Sequence, residues 1–130
     1  MKKLKCILLI DDSGGDNRLH KMLIEEMQIT DHVQIAEDGK EALDYIKDEK
    51  NILPDLIFLD INMPGMNGWE FLSEYKKLDR VKKANIILIV LSGVADPDAI
   101  NKAPEIHQIS NFELKPLTKR VLNNIMETYF

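Results

Sequence analysis

The stretch Asp55-Leu56-Ile57-Phe58-Leu59-Asp60-Ile61-Asn62-Met63-Pro64-Gly65-Met66-Asn67-Gly68 decides how the rest of the chain is read. Leu56 to Leu59 is purely apolar, with no polar alternation. That is the pattern of a strand covered by helices on both faces. The run stops at an acid, Asp60, and Pro64-Gly65 then marks a tight turn. Beyond the turn, Trp69, Leu72 and Tyr75 recur at helical spacing.

The same unit recurs on both sides. Cys6 to Ile10 and Ile86 to Leu91 are apolar runs of the same kind. His32 to Ala36 is a weaker strand, with Val33 and Ile35 on one face, and Ile109 to Leu114 is another. Between them lie helical patterns: Leu19, Met22, Leu23 and Met27, with Asp16 or Asn17 as the expected N-cap, then Ala42, Leu43 and Ile46. Val121, Leu122 and Ile125 form the last, behind Thr118 as a cap. Asp96 to Ile106 is the weakest helix, because Pro97 suits a first turn but Pro104 must end or kink it. Alternation of this kind predicts an α/β fold, a (βα)5 doubly wound five-stranded parallel sheet with right-handed crossovers.

Composition agrees with one such domain, spanning 1–130. The chain has 130 residues, 45% of them hydrophobic and 30% charged, enough to bury a core without disulfides or metal staples. Its 17 basic and 22 acidic residues leave a net charge of −5, which argues against direct DNA binding. No apolar run is long enough to cross a bilayer. Cys6 stands alone inside an apolar run, which predicts a buried thiol, no internal disulfide and a cytoplasmic location.

In an open parallel sheet, ligands bind beyond the carboxyl ends of the strands. There the sequence delivers Asp11-Asp12, Asp60 with Asn62, Ser92-Gly93 and Lys115-Pro116. Three carboxylates brought together repel, and a divalent cation relieves them. Hard oxygen ligands with room for water suit Mg2+. A carboxylate is also a nucleophile toward phosphorus. Lys115 can neutralise charge on a phosphoryl group and Ser92 can donate to it. A calcium loop starting at Asp60 is excluded, because its fifth and twelfth positions would be Pro64 and Phe71. His20, His32 and His107 have no ligand spacing, and the six Met residues read as gap fillers.

Leu9-Ile10-Asp11-Asp12-Ser13, the Asp55 to Gly68 stretch, Ser92-Gly93 and Lys115-Pro116 together resemble the signature of response-regulator receiver domains, over nearly the whole chain. The resemblance implies a flavodoxin-like receiver fold with strand order 2-1-3-4-5. It implies Asp60 as phosphoacceptor, Asp12 as a direct Mg2+ ligand, Asp11 as a ligand through water, and Asn62 as a ligand through its backbone carbonyl. Lys115 and the backbone N–H of Gly93 would contact the phosphoryl group, and the Lys115-Pro116 bond would be cis. Ser92 and Phe112 would form the switch. A sensor histidine kinase or histidine phosphotransfer protein would supply the phosphoryl group. The downstream protein target is not named by the residues, and the domain would be a monomer or a phosphorylation-dependent homodimer. Gly14-Gly15 departs from the family pattern and is expected to loosen the first strand-helix loop, while Pro104 is expected to shorten the fourth helix. Two rivals fit less well. A contact-only module would be expected to lack one of the acids or the lysine. A phosphatase would need a second acid where Asn62 stands, and a flavodoxin a phosphate-cradling loop where Asp11-Asp12 would repel it.

Overall fold

A computed structural model describes residues 3–93 and 109–130. Its strands are β1 (Ile7–Ile10), β2 (Val33–Ala36), β3 (Leu56–Leu59), β4 (Ile87–Ser92) and β5 (Asn111–Leu114). Its helices among the described residues are α1 (Gly14–Met27), α2 (Gly39–Lys47), α3 (Gly68–Tyr75), the single turn α4 (Asp79–Lys82) and α5 (Lys119–Tyr129). The strands form one parallel sheet in the order β2-β1-β3-β4-β5. The helix expected at Asp96 to Ile106 lies outside the described residues.

Strand side chains alternate between two cores. Leu8, Ile10, Ile57, Leu59, Leu88 and Val90 pack with Ala42, Leu43 and Ile46 of α2 and with Phe71, Leu72 and Tyr75 of α3. Ile7, Leu9, Leu56, Phe58, Ile89 and Leu91 pack with Ile24 of α1 and with Leu122, Ile125 and Met126 of α5. Both faces of the inner strands are therefore apolar, which is why β1, β3 and β4 read as continuous hydrophobic runs. Side-chain caps start the helices: Ser13 accepts from the Asp16 N–H, Asp38 from Glu41, and Thr118 from Val121. Asn67 and Glu70 form a reciprocal capping box at α3. Arg80 on α4 donates to the carbonyls of Ile46, Asp48 and Asn51, satisfying the C-terminal end of α2.

Helix α1 differs from its expected form in three ways. Ser13 is the N-cap, not Asp16 or Asn17, so Gly14 and Gly15 are the first turn of the helix and not a loosened loop. The buried face is Asn17, His20 and Ile24, while Leu19 and Met22 are 53% and 62% exposed. The reason is position. The start of α1 lies against the polar carboxyl edge of the sheet, where Asn17 Nδ2 donates to the Asp11 carbonyl at 2.8 Å. An apolar side chain at that position would leave this buried carbonyl unsatisfied.

The β3–α3 loop folds back on itself. Gly65 has φ +72°, a left-handed conformation that favours glycine. Gly68 donates its N–H to the Ile61 carbonyl at 2.9 Å. A Cβ there would stand 2.7 Å from Ile61 Cα and 3.1 Å from the Asp60 carbonyl oxygen, too close for any side chain. Gly68→Ala is therefore expected to destabilise the domain by about 1–3 kcal/mol. Urea unfolding should show a lower midpoint with an unchanged slope; an unchanged midpoint would mean that the loop yields freely.

Candidate acidic phosphoryl site

Main-chain bonds continue the parallel ladder one residue past the strands. Asp11 N–H donates to the Ala36 carbonyl at 3.1 Å, and Asp60 N–H to the Ile10 carbonyl at 2.9 Å. This pins Asp11 and Asp60 side by side. Lys115 N–H donates to the Ser92 carbonyl at 2.7 Å, fixing the lysine beside the end of β4. The Lys115-Pro116 peptide bond is cis.

The side chains converge from there. Carboxylate oxygens of Asp11, Asp12 and Asp60 lie within 4.8 Å of one another. Asp11 and Asp60 are buried, and Asp12 is exposed. Lys115 Nζ pairs with Asp11 Oδ2, lies 2.9 Å from Asp16 Oδ2 and 3.9 Å from Asp60 Oδ2. Backbone N–H groups add donors, Ser13 to Asp11 Oδ1 at 3.0 Å and Asn62 to Asp60 Oδ1 at 3.3 Å. The exposed Gly93 follows β4, and Phe112 packs half-buried against the α2–α3 core.

Electrostatics follow from this crowding. Burial, and then the Asp11 charge, push the Asp60 carboxyl up to about 6, against the pull of Lys115 and the Asn62 N–H. Burial opposes the Lys115 charge, but its bonds to Asp11 and Asp16 outweigh burial and raise it. The Lys115 hydrogen bond holds Asp16 below its ordinary value. Four acids around one lysine leave an uncompensated excess of negative charge. A donor set made only of carboxylate oxygens, two buried and one exposed, fits a hard divalent cation. Asp11, Asp12 and Asp60 are the residues that would hold it.

Asp16, Asn17 and His20 belong to this site, though only Asp16 and Asn17 stand out in the sequence, and then as caps. His20 is buried, and its Nε2 accepts the Leu117 N–H at 3.3 Å, so the ring is neutral with its proton on Nδ1. Burial lowers its affinity for a second proton, against the pull of Asp16. The clue lay in spacing: positions 17, 20 and 24 share one helix face. Behind the acids, Asn17, His20, Asp11 and Asp60 help to line a cavity of about 10 Å³, room for one water at most.

A parallel sheet that presents clustered carboxylates and one lysine at its carboxyl edge defines a phosphoryl-handling α/β domain. The family model for the response regulator receiver domain matches residues 7–127, and the chain belongs to that family. Its relatives agree. It is 30% identical over 125 residues to sporulation initiation phosphotransferase F of Bacillus subtilis, covering 95% of this chain and 91% of that protein. The crystal structure of a two-component response regulator from Cytophaga hutchinsonii superposes with a TM-score of 0.87 at 31% identity, covering 97% of this chain and 96% of the other. The Mn2+-bound form of response regulator Rcp1, a Synechocystis protein, superposes with a TM-score of 0.76 at 28% identity, covering 96% and 94%. The chain is thus a receiver domain of the two-component signalling class, whose members are phosphoacceptor switches. No helix among the described residues is long and apolar enough to cross a membrane.

Proposed function

We propose that Asp60 is the phosphoacceptor and that the surrounding groups serve its phosphorylation. The observation that carries this is the placement of the buried Asp60 carboxylate, pinned by its own N–H, among two further acids and 3.9 Å from Lys115 Nζ. The phosphoryl donor is a phosphohistidine of a sensor histidine kinase or a histidine phosphotransfer protein. An Asp60 carboxylate oxygen attacks phosphorus, the P–N bond breaks, and the donor ring, protonated on its other nitrogen, leaves as neutral imidazole. Water later attacks phosphorus and returns the carboxylate and inorganic phosphate. Mg2+, when bound, neutralises charge on the transferring oxygens. Asp11, Asp12 and Asp60, with the Asn62 carbonyl, would hold it. Lys115, the Ser92 hydroxyl and the Gly93 N–H contact the phosphoryl group, and Ser92 with Phe112 relays its arrival to the surface around β5. The signal then passes by protein contact, as the acidic net charge of −5 suits poorly a direct grip on DNA.

Incubation with acetyl phosphate and Mg2+ followed by intact mass measurement tests this. A single phosphoryl adduct is expected, absent without Mg2+ and absent in Asp60→Asn. An adduct that survives in Asp60→Asn would assign the acceptor elsewhere. No adduct in the parent protein would favour a receiver fold that works by contact alone.

A further inference from the structure

An acid in the first turn of a helix is the ordinary companion of the helix dipole, and Asp16 needs no more explanation than that for being there. Its contact is another matter. Asp16 Oδ2 reaches away from its own helix to accept from Lys115 Nζ at 2.9 Å, 99 residues along the chain. An ammonium group has three donors. Asp11 and Asp16 occupy two of them, while Asp60 is left at 3.9 Å. When phosphoryl oxygens arrive on Asp60, Lys115 Nζ, now 3.9 Å from that carboxylate, has to shift toward them and away from a partner that holds it. Of its two close partners, Asp11 is 6% exposed at its side chain and Asp16 is 42% exposed. Water can take over the bonds of Asp16 and cannot do so for Asp11.

We propose that Asp16 is a latch on Lys115, a positioning residue that holds the ammonium back from Asp60 and competes with the phosphoryl group for it. It thereby sets how tightly the phosphorylated form is held. The proposal rests on the reading of Asp60 as acceptor and Lys115 as its phosphoryl partner. Asp16→Asn keeps the size of the side chain and removes its charge, so Lys115 is freed without a cavity. The phosphoryl group is then expected to be held about two- to fivefold tighter, the size of one partly exposed ion pair.

Calorimetric titration of the full chain with beryllofluoride at saturating Mg2+ is the test, run on the parent, Asp16→Asn, Lys115→Met and the double variant. Asp16→Asn should bind about two- to fivefold tighter, and the gain should vanish in the Lys115→Met background, because a latch acts only through the lysine. Asp16→Glu, which restores the charge, should return toward the parent. A gain that persists without Lys115 would reduce Asp16 to a general source of negative field and overturn the latch. Unchanged or weaker binding in Asp16→Asn would overturn it also, showing that Asp16 assists Lys115. If the parent fails to bind beryllofluoride and takes no phosphoryl group from acetyl phosphate, the phosphoacceptor reading falls and the latch with it.

Discussion

Asp60→Asn is expected to stabilise the metal-free protein at neutral pH, even as it abolishes phosphoryl uptake. The native fold pushes the Asp60 carboxyl from its ordinary 3.8 up to about 6, chiefly by burial and then by the neighbouring Asp11 charge. At about 1.4 kcal/mol per pH unit, that displacement sets a ceiling of roughly 3 kcal/mol on the cost of ionising Asp60 in the native state. Asparagine is neutral, fills the same space and still offers an oxygen to the Asn62 N–H. A gain on the order of 2 kcal/mol is expected once partial relaxation of the charges is allowed for. The sign depends on pH. Below about 4 the carboxyl is protonated in both folded and unfolded chains, and the two proteins should match. Between about 4 and 6 the unfolded chain gives up the proton that the folded one keeps, so parent stability falls as pH rises. Above 6 the full difference is present. Urea unfolding in chelator at about pH 4 and about pH 7.5 measures it. Saturating Mg2+ should then close the gap, because a cation that binds only the folded parent stabilises it by mass action. A variant less stable than the parent at about pH 7.5 would mean that Lys115 already compensates Asp60 in full.

The extra stability of such a variant explains why this site was conspicuous in the sequence. Asp11, Asp60 and Lys115 break local rules, charged residues at the very ends of apolar strands, and they do so at one edge of the sheet. Strand pattern, helix spacing and the acid positions were therefore legible together, because burial on both sheet faces writes unbroken apolar runs into β1, β3 and β4. What the sequence hid was the buried face of α1. Periodicity selected Leu19, Met22, Leu23 and Met27; Leu23 and Met27 do pack against the core, yet Leu19 and Met22 are exposed and the helix turns Asn17 and His20 inward. Amphipathic reading assumes that the inside is oil. It fails where a helix end covers a polar site, because the partners of Asn17 Nδ2 and His20 Nε2 are the Asp11 carbonyl and the Leu117 N–H, on other elements. The Asp16 to Lys115 contact was hidden for the same reason, since only the folded sheet brings residues 99 positions apart together. The one-turn helix Asp79–Lys82 was hidden differently: it buries no residue fully, Val81 only in part, and is tied down by Arg80 to the end of α2.

Lys115→Met should reverse the first result. Lys115 is the ammonium paired with Asp11 and Asp16 and close to Asp60. Methionine keeps the apolar stem of the side chain but leaves the buried acids facing one another. Removing one partner of a buried pair costs about 3–5 kcal/mol, and access of water to Asp16 and Asp12 brings the expected loss here to about 2–3 kcal/mol at neutral pH. Titrating the parent would not reveal this contribution. The folded Lys115 value lies above the ordinary 10.5, so its stabilisation is complete below that pH and fades only as pH rises beyond it. Substitution does reveal it, and with a signature. Asp60 loses the charge that pulls its carboxyl down, and so moves further above 6. The deficit should therefore shrink at about pH 4, where Asp60 is protonated, and shrink again with saturating Mg2+, which would offset the charge of the acids. Phosphoryl uptake is expected to behave differently, because an ion held by Asp11, Asp12 and Asp60 would not replace the N–H donors of Lys115. Transfer from acetyl phosphate should remain about a hundredfold slower at any Mg2+ concentration, the usual cost of losing one preorganised charge partner. Stability restored by Mg2+ with transfer still slow would separate the two duties of this lysine. Full recovery of both would make it a counterion to the acids and nothing more.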